Sequence, residues 1–333
     1  MNHSTVQKMA PGEFEGGTAI ACVILGLAFL VGAPGNLLVI WTILRHVKQR
    51  SHTVVLILHL AAADLLVVIT LPLWIYSLVH TWVFGDVLCQ ALVYIVYVCM
   101  YGSIFFITLM GVERFVAICH PFWMMRRMTK CIMNSCLVFL WLLAFLLGLP
   151  ALLTKPLDGN EEPEFCFIRQ YNSVTEQIIL FCLEILGGFV IPFIIITICY
   201  CLVAAQLRRM SYSSKQKSMI LVHTVVIAFT LCWLPYHVIN AIDLICGEQC
   251  LPMDVVFSSG ALACISSSVN PLLYAFFARN LRGSLEESRL VKLFQEIATQ
   301  SNRLRELVVQ QQTGQRAVDT QVELMSDTVR LNL

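Results

Sequence analysis

Seven long apolar segments constrain the fold of this chain more than any other feature of its sequence. A bilayer core about 30 Å thick is crossed by roughly 20 consecutive apolar residues in a helix. Each segment reaches that length: residues 18–45, 53–79, 87–119, 131–153, 175–207, 217–246 and 253–277. Only 13% of the 333 residues are charged, against about 25% in a typical soluble protein. We therefore predict an all-α membrane protein with a seven-transmembrane helix bundle over residues 18–277.

The loops between the segments fall into two sets that differ in charge. One set contains no acid, and its charged residues are Arg45, Lys48, Arg50, Arg126, Arg127, Lys130, Arg208, Arg209, Lys215 and Lys217. The other set carries Asp86, an acidic stretch from Asp158 to Glu164, and Glu248. Because basic loops stay in the cytoplasm, we predict that residues 1–17 are extracellular and that the C-terminus is cytoplasmic.

The parts of the chain outside the seven segments are short and mostly polar. Asn2 begins an N-glycosylation sequon, which is either a glycosylation site or a chance match of three residues. Residues 278–299 are predicted to form an amphipathic helix on the inner membrane surface, followed by a cytoplasmic tail over residues 300–333. The apolar side chains that repeat at helical spacing in that helix are Leu285, Leu290, Leu293 and Phe294.

Several classes of function find no support in the sequence. The 14 cysteines are scattered through apolar segments without metal-ligand spacing, so we expect no zinc site. No nucleophile–base pair is visible, which argues against an enzyme. With the charges confined to short loops and a tail, membrane lipid is an expected partner and nucleic acid is not.

Polar residues inside the apolar segments are costly, so they mark candidate functional sites. Asp64 is the only acid deep in the second segment. Plausible partners with hydroxyl or amide groups occur in other segments: Asn36, Ser103, Ser266, Ser267, Ser268 and Asn270. Such a set predicts either a cage for an allosteric sodium ion or a buried hydrogen-bond network without an ion. No other cofactor is expected.

Short motifs occur in nearly all seven segments and in a fixed order. They are Gly35-Asn36, Leu60-Ala61-Ala62-Ala63-Asp64, Trp82-Val83-Phe84-Gly85, Cys89, Glu113-Arg114-Phe115, Trp141, Pro192 with Tyr200, Cys232-Trp233-Leu234-Pro235-Tyr236 and Asn270-Pro271-Leu272-Leu273-Tyr274. In this set and order, the chain resembles the rhodopsin-like (class A) G-protein-coupled receptors. Each motif alone is weak, but the ordered set is specific. The resemblance implies a plasma-membrane receptor that activates a heterotrimeric G protein.

The resemblance also implies roles for individual residues. It implies a Cys89–Cys166 disulfide that ties the third segment to the loop before the fifth. It implies that Trp233 is a pivot beneath the ligand, and that Tyr200 and Tyr274 rearrange on activation. Serines and threonines of the tail are expected to be modified by receptor kinases and to recruit arrestin.

The segment that faces the G protein in this family departs from the usual pattern. The common Asp-Arg-Tyr reads Glu113-Arg114-Phe115, so the acid–base pair survives and Arg114 is the implied G-protein-facing switch. Lys215 occupies the region where some members carry an acid that locks the arginine, so such a lock is not expected. No cysteine follows the seventh segment, so the family's palmitoyl anchor is missing. Attachment of the helix after that segment must then rest on its apolar side chains.

Further motifs look like the leukotriene B4 receptors of the chemoattractant branch. They are Met100-Tyr101-Gly102-Ser103, Glu184 with Phe189-Val190-Ile191-Pro192-Phe193, Trp233-Leu234-Pro235-Tyr236-His237-Val238-Ile239-Asn240, Ser266-Ser267-Ser268-Val269-Asn270-Pro271 and Leu290-Val291-Lys292-Leu293-Phe294. The ligand of that subfamily is a hydroxylated fatty acid, so the resemblance implies a lipid small-molecule agonist. Chemoattractant relatives mostly act through the inhibitory class, so a Gi-type heterotrimeric G protein is the implied partner.

A hydroxylated fatty acid needs one cation for its carboxylate, hydrogen-bonding groups for its hydroxyls and an apolar trench. Candidate ligand contacts are Tyr97, Met100, Tyr101, Lys155, Arg169, Glu184, Trp233, His237 and Asn240. Three of these residues also fit purely structural roles. Lys155 fits a snorkelling interface residue, Glu184 a structural carboxyl and His237 a buried core histidine. Val93 stands where one member of the subfamily carries a histidine.

Other ligand and function classes stay open at this point. Val96 occupies the position at which amine receptors carry an aspartate, which argues against an amine. The short N-terminal segment lacks an acidic arm, which argues against a chemokine but not against a small peptide. An ion-coupled transporter is the alternative from another class, although the polar residues form one cluster rather than a path. Cys246 and Cys250 either form a second disulfide or remain free thiols.

Overall fold

The protein is described here from a computed structural model, which covers residues 16–48, 50–80, 82–153, 155–156, 166, 169–209, 217–246, 251–279 and 289–299. The helices are α1 (Gly16–His46), α2 (His52–Val68), α3 (Leu71–Val79), α4 (Asp86–Cys119), α5 (Pro121–Arg127), α6 (Lys130–Gly148), α7 (Pro150–Leu153), α8 (Val174–Ile185), α9 (Ile191–Arg209), α10 (Lys217–Cys246), α11 (Met253–Arg279) and α12 (289–299). A π-helix, Leu186–Val190, joins α8 to α9. Two short strands, β1 (Lys155–Pro156) and β2 (Arg169–Gln170), pair antiparallel.

Seven helical stretches within the described residues are long and apolar enough to cross a membrane. These spans, first to seventh, are Gly17–His46, His52–Val79, Asp86–Cys119, Lys130–Leu152, Val174–Gln206, His223–Cys246 and Val255–Phe277. The prediction of an all-α, seven-span membrane protein is therefore confirmed, and the span ends lie within a few residues of those predicted from the sequence.

The second span is interrupted at the turn between α2 and α3, just before Pro72. A proline has no N–H to donate, so the helix loses a backbone hydrogen bond there. The hydroxyl of Thr70 donates to the carbonyl oxygen of Val67 at 2.7 Å and accepts from Trp74 Nε1 at 3.0 Å. The Thr70 hydroxyl therefore reinforces the turn, in which the Val67 carbonyl oxygen also accepts from the Thr70 backbone N–H at 3.0 Å.

The other intramembrane prolines have different local effects. The fourth span breaks before Pro150, where α6 ends and α7 begins. In the fifth span, the π-helix ends two residues before Pro192. The wider turn of the π-helix therefore lies next to the residue that has no backbone N–H to donate. The helices α10 and α11 run through Pro235 and Pro271 without a break.

The third span lies at the centre of the bundle, where it packs against the second, fourth, fifth and sixth spans. The first span packs against the second and seventh, and the sixth packs against the seventh. Gly35 lets the first and seventh spans approach closely, because a Cβ atom there would lie 2.7 Å from Cβ of Pro271. Large apolar side chains such as Leu30, Phe139 and Ile194 point away from the bundle and are exposed for contact with lipid.

The bundle has two ends, which we call the Cys89 end and the Arg114 end after residues near the two ends of the third span. At the Arg114 end, α12 buries Leu293 and Phe294 in the core, and the Phe294 ring lies edge-on to Tyr274 with centroids 5.8 Å apart. These two side chains therefore contact the protein. The expectation that they attach this helix to the bilayer is wrong, because packing against the seventh span removes them from lipid.

Candidate functional site

Asp64 lies at the centre of a buried hydrogen-bond network in the middle of the bundle. Ser103 donates to its Oδ1 at 3.2 Å, and Asn270 Nδ2 donates to its Oδ2 at 2.7 Å. Asp64 is 1% exposed, and no side-chain cation of the described residues forms an ion pair with it. The network thus links the second, third and seventh spans around one carboxylate.

Asn36 and Ser268, also predicted as partners of Asp64, bind elsewhere. Asn36 Nδ2 donates to the carbonyl oxygens of Gly32 and Ser267 at 3.0 and 2.9 Å. The Ser268 hydroxyl donates to the carbonyl oxygen of Ala28 at 2.8 Å. Both side chains therefore join the first span to the seventh. They support the position of the seventh span without touching the carboxylate.

Ser266 of the seventh span binds Trp233 of the sixth. Its hydroxyl accepts from Trp233 Nε1 at 3.0 Å and donates to the carbonyl oxygen of Ala263 at 2.7 Å. A small cavity at this point is lined by residues that include Ser103, Ser266 and Ser267. One carboxylate and several hydroxyl oxygens are ligands that suit a hard cation such as sodium. The residue types therefore suit the predicted ion, and Ser103 is the residue that both lines the cavity and contacts Asp64.

A polar triad lies toward the Cys89 end, between the third, fifth and sixth spans. The Tyr97 hydroxyl donates to Glu184 Oε2 at 3.1 Å and lies 3.4 Å from the Tyr236 hydroxyl. All three side chains are half-buried. Glu184 is near the end of α8, two residues before the π-helix, whose different residue spacing sets the direction in which the following turn faces.

Aromatic side chains form the wall beside this triad. The Tyr236 ring is perpendicular to Trp233, with centroids 5.6 Å apart. His237 is 3% exposed and lies 5.0 Å from Phe189 and 6.0 Å from Trp233, centroid to centroid. Its Nδ1 atom has no hydrogen-bond partner within the described residues. Aromatic rings therefore border the triad on the side of Tyr236.

Met100 and Tyr101 pack against the π-helix of the fifth span. A Cβ atom built on Gly188 would lie 3.2 Å from Tyr101 Cε1 and 3.3 Å from Met100 Cε, so only glycine fits without a shift. Met100 also lines the small cavity beside Trp233. Asn240 is tied to its own helix, because its Nδ2 donates to the Tyr236 carbonyl oxygen at 2.9 Å.

Cys89 and Cys166 form a disulfide, which confirms the pairing implied by the resemblance. The short hairpin on either side of Cys166 carries both predicted cations in its strands, with Lys155 opposite Gln170 and Pro156 opposite Arg169. The backbone pairing therefore brings Lys155 and Arg169 to one hairpin at the Cys89 end of the bundle.

Glu113 and Arg114 are completely buried at the other end, and Thr53 of the second span bridges them. The Thr53 hydroxyl donates to Glu113 Oε2 at 3.1 Å and accepts from Arg114 Nη2. Arg114 Nε lies 3.4 Å from the same carboxylate oxygen, an ion pair without hydrogen-bond geometry. Because Arg114 is only 1% exposed, another protein can reach it only after the spans move apart.

Two tyrosine hydroxyls are buried without a hydrogen-bond partner within the residues that the structure describes: Tyr200 and Tyr274. The Tyr200 ring lies against His223 of the sixth span, with centroids 3.6 Å apart. Several features of the sequence interpretation lie outside the described residues: Asn2, the acidic stretch from Asp158 to Glu164, Lys215, Glu248, Cys250, Leu285 and the tail 300–333.

The sequence interpretation missed Thr53, Tyr236 and His223 as functional candidates. Thr53 lies two residues after the N-cap residue Ser51. Hydroxyl side chains are common at the first turn of a helix, so nothing in the sequence assigned Thr53 another role. Tyr236 stood within a motif but no role was assigned to it. His223 stood inside the predicted sixth segment, 217–246, as a polar residue to which no partner was assigned.

Comparisons with known proteins all point to one family of receptors. A family model described as 7 transmembrane receptor (rhodopsin family) matches residues 35–274. The chain is 32% identical over 296 residues to leukotriene B4 receptor 1 of Bos taurus, covering 85% of this chain and 84% of that receptor. It is also 32% identical to atypical chemokine receptor 3 of Canis lupus familiaris over 279 residues, covering 79% and 77%. Apelin receptor A of Danio rerio is 32% identical over 296 residues, covering 81% and 82%.

Proposed function

We propose a function from one established premise, that this chain belongs to the rhodopsin family of seven-transmembrane receptors. It is a G-protein-coupled receptor of the chemoattractant-like branch and not an enzyme. We propose that its agonist is a hydroxylated fatty acid of the leukotriene B4 type. We further propose that it lies in the plasma membrane with its Cys89 end outside, and that it activates a Gi-type heterotrimeric G protein.

The polar triad of Tyr97, Glu184 and Tyr236 is the observation that carries the ligand proposal. A carboxyl and two phenol hydroxyls in an aromatic wall suit an apolar chain that bears hydroxyl groups, because each hydroxyl can both donate and accept. The hairpin that carries Lys155 and Arg169 lies at the same end and supplies cations for a fatty-acid carboxylate. The triad, the aromatic wall and the hairpin match the hydroxyl groups, the apolar chain and the carboxylate of such a ligand, respectively.

Burial of Arg114 supports a switching mechanism. The agonist binds more tightly to a state in which the sixth span has swung outward about Pro235, and so increases the population of that state. The movement uncovers Arg114 for the G protein. The network around Asp64 lies between the ligand wall and Arg114, and a sodium ion held there would favour the closed arrangement. Kinases and arrestin would then act on the tail.

A peptide agonist is the second candidate. It is favoured by one observation, that relatives named for a chemokine and for apelin are as similar to this chain as a leukotriene B4 receptor is. The deciding experiment measures GTPγS exchange on purified Gi by the receptor in lipid nanodiscs. The test ligands are leukotriene B4, arachidonic acid without hydroxyls, and a panel of chemokines and apelin. A response to a peptide and to no hydroxylated fatty acid would refute the lipid proposal.

Removing the polar groups of the triad is expected to weaken lipid binding strongly. A hydrogen bond between a ligand hydroxyl and a carboxyl or phenol contributes about 1.5–3 kcal/mol when one partner is charged. We therefore expect Glu184→Gln to raise the Kd for leukotriene B4 about 10- to 100-fold, and Tyr97→Phe to raise it about 10-fold. The measurement is radioligand saturation binding to receptor in nanodiscs.

Tyr94 provides a matched control for the Tyr97 substitution, because its hydroxyl donates to the carbonyl oxygen of Phe145 in the fourth span, away from the triad. Tyr94→Phe is expected to leave the Kd within about 2-fold of the unmodified receptor. Equal losses in Tyr94→Phe and Tyr97→Phe would mean that the effect comes from helix packing and would count against the triad as a ligand site.

Sodium is expected to lower agonist affinity through Asp64. If the ion binds only the closed state, replacing 100 mM KCl with 100 mM NaCl should raise the agonist Kd about 5-fold or more, the lower end of typical allosteric coupling. Asp64→Asn removes the charge that attracts the ion but retains a hydrogen-bonding side chain, so it should abolish the difference between the salts. Asp86→Asn, at an exposed carboxylate, should preserve it. A salt effect that survives in Asp64→Asn would exclude this site.

A further inference from the structure

The contacts of Arg114 come from only one side of the bundle. Within the described residues, its hydrogen bond is to Thr53 of the second span and its ion pair is to Glu113 of the third. The sixth span contributes neither contact. If the sixth span is the part that moves, then the polar contacts of Arg114 do not resist its movement, and another interaction must keep it closed.

The pair of Tyr200 and His223 is the interaction in the right place. Tyr200 belongs to the fifth span and His223 is the first residue of the sixth, and their rings are 3.6 Å apart and inclined by 33°. The backbones of α9 and α10 come close to each other at very few of the described positions. At the Arg114 end, the two spans are therefore held together by side chains, and this ring pair is in direct contact.

Tyr200 also lies within electrostatic reach of Arg114, and its hydroxyl has no hydrogen-bond partner in the part of the chain that the structure describes. A hydroxyl without a partner in a low-dielectric interior is costly, so the ring is held in this position by its other contacts. Contact with His223 accounts for this position. Loss of that contact would let the hydroxyl turn toward another polar group.

We propose that the stacked rings of Tyr200 and His223 form a latch that holds the sixth span closed over Arg114. The inference rests on the proposed receptor function, in which the sixth span moves outward on activation. An aromatic contact of this kind gives a modest bias, so the latch yields when agonist binds. The latch would hold the sixth span closed in place of an ion pair between Arg114 and an acid of that span.

The test measures the position of the sixth span directly and without a ligand. Spin labels are attached to p-acetylphenylalanine introduced at Trp123 of α5 and Ile220 of α10, both exposed side chains. Double electron–electron resonance then gives the distance between them in receptor held in lipid nanodiscs. His223→Ala, which removes the ring, is expected to increase the ratio of long to short distances about 3- to 10-fold. His223→Phe, which keeps a ring, should retain the original distribution.

Ile227→Ala is the matched control, because Ile227 is one turn further along the same helix and its side chain is exposed. It should not change the distances. An unchanged distribution in His223→Ala would overturn the latch, whatever signalling assays show. GTPγS exchange on purified Gi without agonist is measured on the same samples and is expected to rise in His223→Ala alone. If the distances shift and exchange on Gi does not rise, the latch is supported and the proposed Gi coupling is wrong.

Discussion

Replacing Arg114 with alanine is expected to reduce agonist-stimulated GTPγS exchange at least 100-fold, while the agonist Kd changes by less than about 3-fold. The guanidinium offers five N–H donors at the end of the bundle where the G protein is proposed to bind. Two charge-assisted hydrogen bonds to backbone carbonyls of the G protein would contribute at least about 3 kcal/mol together, which corresponds to a factor above 100. The measurement compares exchange rates at saturating agonist in nanodiscs, with leukotriene B4 or the peptide that activates the receptor.

Because Glu113 and Arg114 are buried together, the test of Arg114 needs a second variant that also removes the charge of Glu113. Arg114→Ala leaves Glu113 without its cation in a completely buried position, and an unpaired buried charge destabilises a protein strongly. The double variant Glu113→Gln/Arg114→Ala removes both charges and should fold, yet remain inactive. Arg127→Ala, at an exposed arginine of α5, should retain normal exchange. Near-normal exchange in the folded double variant would show that Arg114 is not the G-protein-facing group.

The spans could be predicted from the sequence because bilayer thickness fixes the length of an apolar helix, and nothing in the tertiary structure changes that requirement. The path of the backbone within a span was less predictable. Pro72 and Pro150 break their helices, whereas α10 and α11 run through Pro235 and Pro271. The same residue type gives both results, because a proline removes one backbone donor without fixing how the surrounding turn rearranges.

The Asp64 network was predictable for a similar reason. A carboxylate in lipid must find donors, and few polar residues stood at matching depth in the other spans. Thr53 and His223 were not predictable in this way. Thr53 takes its role from Glu113, which is 60 residues away in the sequence. His223 takes its role from Tyr200, which lies in another span. Only the packing of the helices shows that these pairs meet. Leu293 and Phe294 are a related case, because an amphipathic pattern identifies an apolar face but not whether lipid or protein covers it.

Loss of the Cys89–Cys166 disulfide is expected to destabilise the receptor and to weaken agonist binding. The bond joins residues separated by 77 positions, and closing a loop of that size contributes about 4 kcal/mol in a chain-entropy description. It also holds the hairpin that carries Lys155 and Arg169 against the third span. In the double variant Cys89→Ser/Cys166→Ser, we expect a midpoint of thermal unfolding lower by about 10 °C. The Kd for leukotriene B4 should rise at least 10-fold.

The two expected effects have different causes, and the controls separate them. Cys246→Ser replaces an exposed free cysteine near the same end, so it should change neither the midpoint nor the Kd. Binding measured well below the lowered midpoint reports the position of the hairpin rather than unfolding. If stability falls while the Kd stays constant, then the disulfide stabilises the bundle without positioning the hairpin. The contacts of β1 with the third span would in that case be sufficient to keep Lys155 and Arg169 at the Cys89 end.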